Sequence, residues 1–193
     1  MDRTVTGKRV FSEQFTVKVN KTEGLKRVSH GYNRGVNMNF GEMETTIDRT
    51  AIIPEPEMLD QAKSCLAYAN GYFATFSKSV AKENARFGAD LLYQMAILSV
   101  EKYFVALLAR YDWNASHHMP VALFKEALMF EPDLPDSMKQ TCILVGKFEA
   151  ICSIDGFGYR QPSPDDLKAM SEGIKAIKEL VEKRIEEVRS IEL

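Results

Sequence analysis

Leu91-Leu-Tyr-Gln-Met-Ala-Ile-Leu-Ser-Val-Glu-Lys-Tyr-Phe-Val-Ala-Leu-Leu-Ala109 contains neither proline nor glycine and is apolar almost all round. That is the pattern of a central helix packed on several sides. Directly behind it comes Arg110-Tyr-Asp-Trp-Asn-Ala-Ser-His117-His118, a polar cluster ending in two adjacent histidines. A buried helix that delivers an arginine, a tryptophan and two histidines to its exit decides the fold and marks the one place where chemistry is plausible.

Working outward, the segment before it has a helical period. Met58, Ala62, Cys65, Leu66, Ala69, Phe73, Phe76 and Val80 recur at spacings of three and four, giving one apolar stripe to about Lys82. Gly71 sits inside this stretch and weakens it by about 1 kcal/mol relative to alanine. After the histidines, Val121, Leu123, Phe124, Leu128 and Met129 predict a third helix, with Ser116 as its N-cap and Pro132 and Pro135 bracketing its end. A fourth is expected from Asp136 to Ile154, carrying Met138, Cys142, Val145 and Phe148 or Cys152, and stopped by Asp155-Gly-Phe-Gly. The fifth opens with Ser163-Pro-Asp-Asp166, a cap with proline in the first helical position and acids against the positive end of the dipole. Leu167, Met170, Ile174, Ile177, Val181, Ile185 and Val188 then hold a single seam. Five helices joined by short loops predict an all-α fold, an antiparallel bundle over 57–193.

Residues 1–56 differ in kind. They are rich in Thr, Lys, Asn and Gly, with a short alternating run Phe15-Thr-Val-Lys-Val19, and read as an extended arm with a β-hairpin. Pro54 and Pro56 mark its end, since proline disfavours helical geometry in the residue before it. Residues 1–35 carry eight Lys/Arg against three acids, whereas the whole 193-residue chain has a formal charge of −2, so a basic arm precedes an acidic body. That balance argues against a protein that binds nucleic acid simply by being basic. Cys65, Cys142 and Cys152 are odd in number, lie in apolar helical patterns and read as buried reduced thiols. With no uninterrupted apolar run of about 18 residues and no signal-peptide core, the expected address is the cytoplasm, with no membrane partner.

The common catalytic signatures are missing: no phosphate-binding Gly-x-x-x-x-Gly-Lys loop, no His-Glu-x-x-His, no nucleophile elbow. With His30 the only histidine besides His117 and His118, no metal and no cofactor are expected. Arg110, His117 and His118 are the candidate catalytic residues, because a guanidinium suits phosphate and an imidazole titrates near working pH. Tyr103, Trp113, Asn114 and Ser116 are the candidate substrate-binding groups. In the plainer reading, Arg110 caps a helix C-terminus and the histidines simply begin the next helix.

The run Gln94-Met-Ala-Ile-Leu-Ser-Val-Glu-Lys-Tyr-Phe-Val-Ala-Leu-Leu108, with Arg110, the histidine pair, Val-Ala-Leu-Phe124 and Tyr159-Arg160, resembles HEPN domains (higher eukaryotes and prokaryotes nucleotide-binding) over roughly residues 57–190. The resemblance implies an RNA-directed helical bundle, of which many members are metal-independent endoribonucleases. In those, an arginine, four to six residues and a histidine form a composite site across a homodimer. Here six residues separate Arg110 from His117, and seven separate it from His118, which matches the family's spacing to the leucine at 123. On this reading Arg110 holds the phosphate. One histidine takes a proton from the ribose 2′-hydroxyl or gives one to the leaving oxygen, producing a 2′,3′-cyclic phosphate. The family's polar residue after the histidine is Met119 here, followed by Pro120. The resemblance also implies an alternative: a non-catalytic module that docks a nucleotidyltransferase or another protein in a toxin–antitoxin arrangement, or binds nucleotide or RNA without cutting it.

Overall fold

The computed structural model describes residues 52–82, 87–148 and 161–189, together with three short strands. By contact the chain divides into two units, Met1–Ile53 and Pro54–Leu193. In the first, Arg3–Lys8 (β1) pairs antiparallel with Gln14–Val19 (β2), and β2 with His30–Gly31 (β3). The second unit is all-helical in its described residues: Pro56–Ala81 (α1), Ala89–Arg110 (α2), Pro120–Ala127 (α3), Asp136–Gly146 (α4) and Pro164–Arg189 (α5).

α2 is the hub. It packs on each of the other four helices, and Ala96, Val100, Tyr103, Leu107 and Leu108 along it are fully buried. By length and composition it is also long and apolar enough to cross a membrane, a test that the core helix of a bundle passes as well. The seam of α5 is buried throughout, from Leu167 to Val188. Each such aliphatic side chain withdrawn from water contributes about 1.5–3 kcal/mol before conformational entropy is counted. The start of α5 follows from its sequence. The Ser163 hydroxyl accepts from the Asp166 N–H at 3.1 Å, and the Asp166 carboxylate accepts from the Ser163 N–H at 2.9 Å, a reciprocal box around Pro164.

Helix direction departs from simple alternation. α1 and α2, joined by a short connection, lie along one another with Phe73 and Asn70 against Tyr103, and their short link makes them antiparallel. α5 instead runs parallel to α2. Gln161 bonds Asp90 at one end, Arg184 meets Arg110 at the other, and Asn70 bridges Tyr103 and Glu182 between them. α4 meets α5 at very close range: a Cβ on Gly173 would lie 2.1 Å from the Thr141 hydroxyl, so only glycine fits there.

Two expected boundaries move. α3 begins at Pro120 with Met119 as its cap residue, not at Ser116, because proline is best placed in the first helical turn and the Ser116 N–H is held elsewhere, as described below. α4 ends at Gly146. Lys147 and Phe148, expected to continue it, form a turn; the rest of the expected helix to Ile154, with Cys152, and likewise the Asp155-Gly-Phe-Gly stop and Tyr159-Arg160, lie outside the described residues.

Candidate functional site: the connection between α2 and α3

α2 ends in a left-handed cap. Asp112 has φ 57°, a conformation that aspartate tolerates better than most side chains. Its N–H donates to the Ala109 carbonyl at 3.0 Å while the Trp113 N–H donates to that of Leu108 at 3.1 Å. This pair of bonds reverses the chain and satisfies two carbonyls that the helix leaves open. The Asp112 carboxylate accepts from the Glu55 N–H at 3.2 Å, so the cap is tied to the start of α1.

Before the reversal, Arg110 is turned inward and is 2% exposed. Its Nε donates to the Arg184 carbonyl of α5 at 3.2 Å, and its guanidinium carbon lies 4.4 Å from the centre of the Tyr111 ring. Phe130 stacks on that ring at 5.1 Å. The Tyr111 hydroxyl donates to Glu131, a carboxylate 2% exposed that also accepts two bonds from the Arg184 guanidinium. Arg184 reaches Glu187 at 2.9 Å as well. Burial lowers the Arg110 pKa, and Tyr111, Glu187 and Glu131 oppose that shift. Burial, then the bond to Glu131, pushes the Tyr111 hydroxyl up, and the same carboxylate raises Arg184. Glu131 is thus the anion around which the inner end of the connection is assembled.

After the reversal a second buried carboxylate takes over. Glu126 of α3 is 5% exposed. It accepts from the Trp113 indole at 3.4 Å and from the Ser116 N–H at 3.1 Å, and pairs with His117 Nδ1. A carboxylate can only accept, so Nδ1 carries the proton and Nε2 is the nitrogen with the free lone pair when the ring is neutral. The His117 side chain is 47% exposed.

The structure therefore gathers Trp113, Ser116 and His117 on Glu126 and assigns Arg110 to α5 and the Tyr111–Glu131–Arg184 cluster. Asn114 and His118 are exposed on the connection. Tyr103 lies elsewhere, fully buried midway along α2, where its hydroxyl donates to Asn70 at 2.7 Å and burial raises its pKa. Sequence reasoning passed over Glu126 and Glu131. The signal for the first was present, since Glu126 follows Leu123 by three residues and adjoins Ala127 on the buried face of a short helix. Glu131 lies in the turn after α3 and offered no periodic cue.

Among the described residues no group of three or more His, Cys, Asp or Glu could hold a metal ion. What fold and connection define is a helical domain with a polar, half-exposed corner built on two buried glutamates. No protein-family model, curated protein or solved structure matches the chain.

Proposed function

We propose that the chain is a HEPN-like binding module whose α2–α3 connection docks a protein partner, of the nucleotidyltransferase kind that the resemblance implies, without cutting RNA. The supporting observation is the position of Arg110. A guanidinium 2% exposed, bonded to the Arg184 carbonyl and set against Tyr111, cannot receive a phosphate without breaking those contacts. The exposed groups of the connection, Asn114, Ser116, His117, His118 and Met119, offer hydrogen bonds and one apolar contact and include no lysine or arginine. Together with the acidic balance of the body, that favours protein over polyanion. In this reading residues 1–56 form the extended β-hairpin arm, and the chain works in the cytoplasm.

A second reading rests on His117. An exposed imidazole whose Nδ1 is fixed by a buried carboxylate is oriented as a general base, which suits metal-independent cleavage of RNA at a composite homodimer site. Labelled RNA incubated with the purified chain in EDTA separates the two. The docking module leaves the RNA intact. Fragments ending in a 2′,3′-cyclic phosphate, produced by the wild type and lost in His117→Ala, overturn it in favour of the nuclease. Cleavage that persists in a His117→Ala/His118→Ala double variant marks a contaminant, and the docking reading stands.

A further inference from the structure

Where α1 and α5 pack side by side they leave a cleft of about 300 Å³ between them. Residue size accounts for it. Ser77 of α1 and Ser171 of α5, both half-buried, line the cleft where a helix seam ordinarily carries aliphatic side chains. Phe73, buried against Tyr103, supplies an aromatic wall. Neither serine is committed to the fold: Ser77 donates only at 3.5 Å, to the Ala74 carbonyl, and Ser171 makes no hydrogen bond among the described residues.

The rest of the lining is charged, with the two signs in balance. Glu172, Lys175, Lys178 and Glu179 follow Ser171 at i+1, i+4, i+7 and i+8, one stripe of α5. Lys178 is held in place: its Nζ donates to Glu182, which accepts from the Asn70 amide at 3.0 Å, and Asn70 accepts from the Tyr103 hydroxyl at 2.7 Å. Lys175 is free to turn, because its ion pair with Glu179 is 3.9 Å long and largely exposed, a contact worth little. Glu172 makes no ion pair among the described residues.

These charges choose the ligand. A phosphate ester would meet Glu172 and Glu179, and a polyamine would meet Lys175 and Lys178, so a strong charge of either single sign is disfavoured. A small molecule that carries both charges on neighbouring atoms, beside an apolar group, meets a partner at each point. We propose that the cleft binds a free α-amino acid with an apolar side chain: its carboxylate on Lys175 and the Ser171 hydroxyl, its ammonium on Glu172, its side chain against Phe73. The volume lies at the lower end of the roughly 300–1,000 Å³ of small-molecule sites, which suits a single amino acid better than a peptide. The site stands on α1 and α5 and does not depend on what the α2–α3 connection docks.

An NMR titration of the isotope-labelled full chain is the test, with three probes: L-phenylalanine, phenylpropionate, which lacks the ammonium, and phenethylamine, which lacks the carboxylate. L-Phenylalanine shifts the amides of residues 73–77 and 171–179. Each analogue binds about tenfold more weakly, the loss of one charged hydrogen bond. Glu172→Gln weakens L-phenylalanine by a similar factor and leaves phenylpropionate unchanged. Lys175→Gln weakens both carboxylates and leaves phenethylamine unchanged. These two positions are exposed, so the variants keep the fold; Ser171→Leu, which fills the cleft, abolishes the shifts. No shift up to the solubility of L-phenylalanine overturns the inference. So do analogues that bind as tightly as the zwitterion, or shifts that persist in Ser171→Leu.

Discussion

Arg110 and His117 stand seven positions apart, yet Arg110 is bonded to the Arg184 carbonyl of α5 whereas His117 pairs with the buried Glu126 carboxylate. Arg110 belongs to the interior: it joins α2 to the backbone of α5 beside the Tyr111–Glu131–Arg184 cluster. His117 belongs to the surface: Glu126 holds one nitrogen, and about half of the side chain is exposed. The left-handed turn at Asp112 parts them. Residue type and spacing along the chain do not make a site; the partners that hold each side chain, a backbone carbonyl and a ring for Arg110 and a buried carboxylate for His117, decide whether the two share one.

That contrast can be broken at its strongest point first. Glu131→Ala leaves the buried Tyr111 hydroxyl without its acceptor and the half-buried Arg184 guanidinium with Glu187, and is expected to cost about 3 kcal/mol in urea unfolding. A loss under about 1 kcal/mol would mean that the inner cluster does not hold α5 to α2. Glu126→Ala should cost less, about 1–2 kcal/mol, chiefly through the bonds that the Ser116 N–H and the Trp113 indole make to this carboxylate. Its effect should be confined to residues 113–118 in amide exchange.

Alkaline pH sharpens the inner half of the comparison. The folded pKa of Tyr111 is raised above its ordinary value of 10.0 by burial and by Glu131. Its contribution to stability is therefore complete below pH 10 and is lost as pH climbs from there through the folded value. Tyr103 behaves likewise. Unfolding followed between pH 9 and 12 should show stability falling with pH. Tyr111→Phe, about 1 kcal/mol less stable at neutral pH, should flatten that slope; an unchanged slope would remove Tyr111 from the cluster. The smallest effect is expected from His117→Ala, which removes one bond from Glu126 while the Ser116 N–H and the Trp113 indole remain on it, and should cost about 0.5 kcal/mol.

The sequence was most legible where interactions are local. The Ser163–Asp166 box lies within four residues and the α5 seam repeats with the helical period, so both follow from spacing alone. The hub character of α2 also shows in its composition. The start of α3 was misread because Ser116 has the chemistry of a cap; its N–H is instead taken by Glu126, ten residues on. The parallel course of α5 beside α2 depends on how two short helices turn between them, which periodicity does not encode. At the site, the residue types were visible and their division was not. Glu131 and Arg184 lie 53 residues apart, and no local pattern links them.

The division between the two halves is tested most directly in the imidazole nitrogen shifts of His117, followed by NMR in Glu126→Gln and in Arg110→Lys. The account predicts that Glu126→Gln moves them, because the carboxylate that fixes the Nδ1 proton is gone, and that Arg110→Lys leaves them in place. If Arg110→Lys shifts the His117 ring as far as Glu126→Gln does, the two residues share one environment and the account is contradicted.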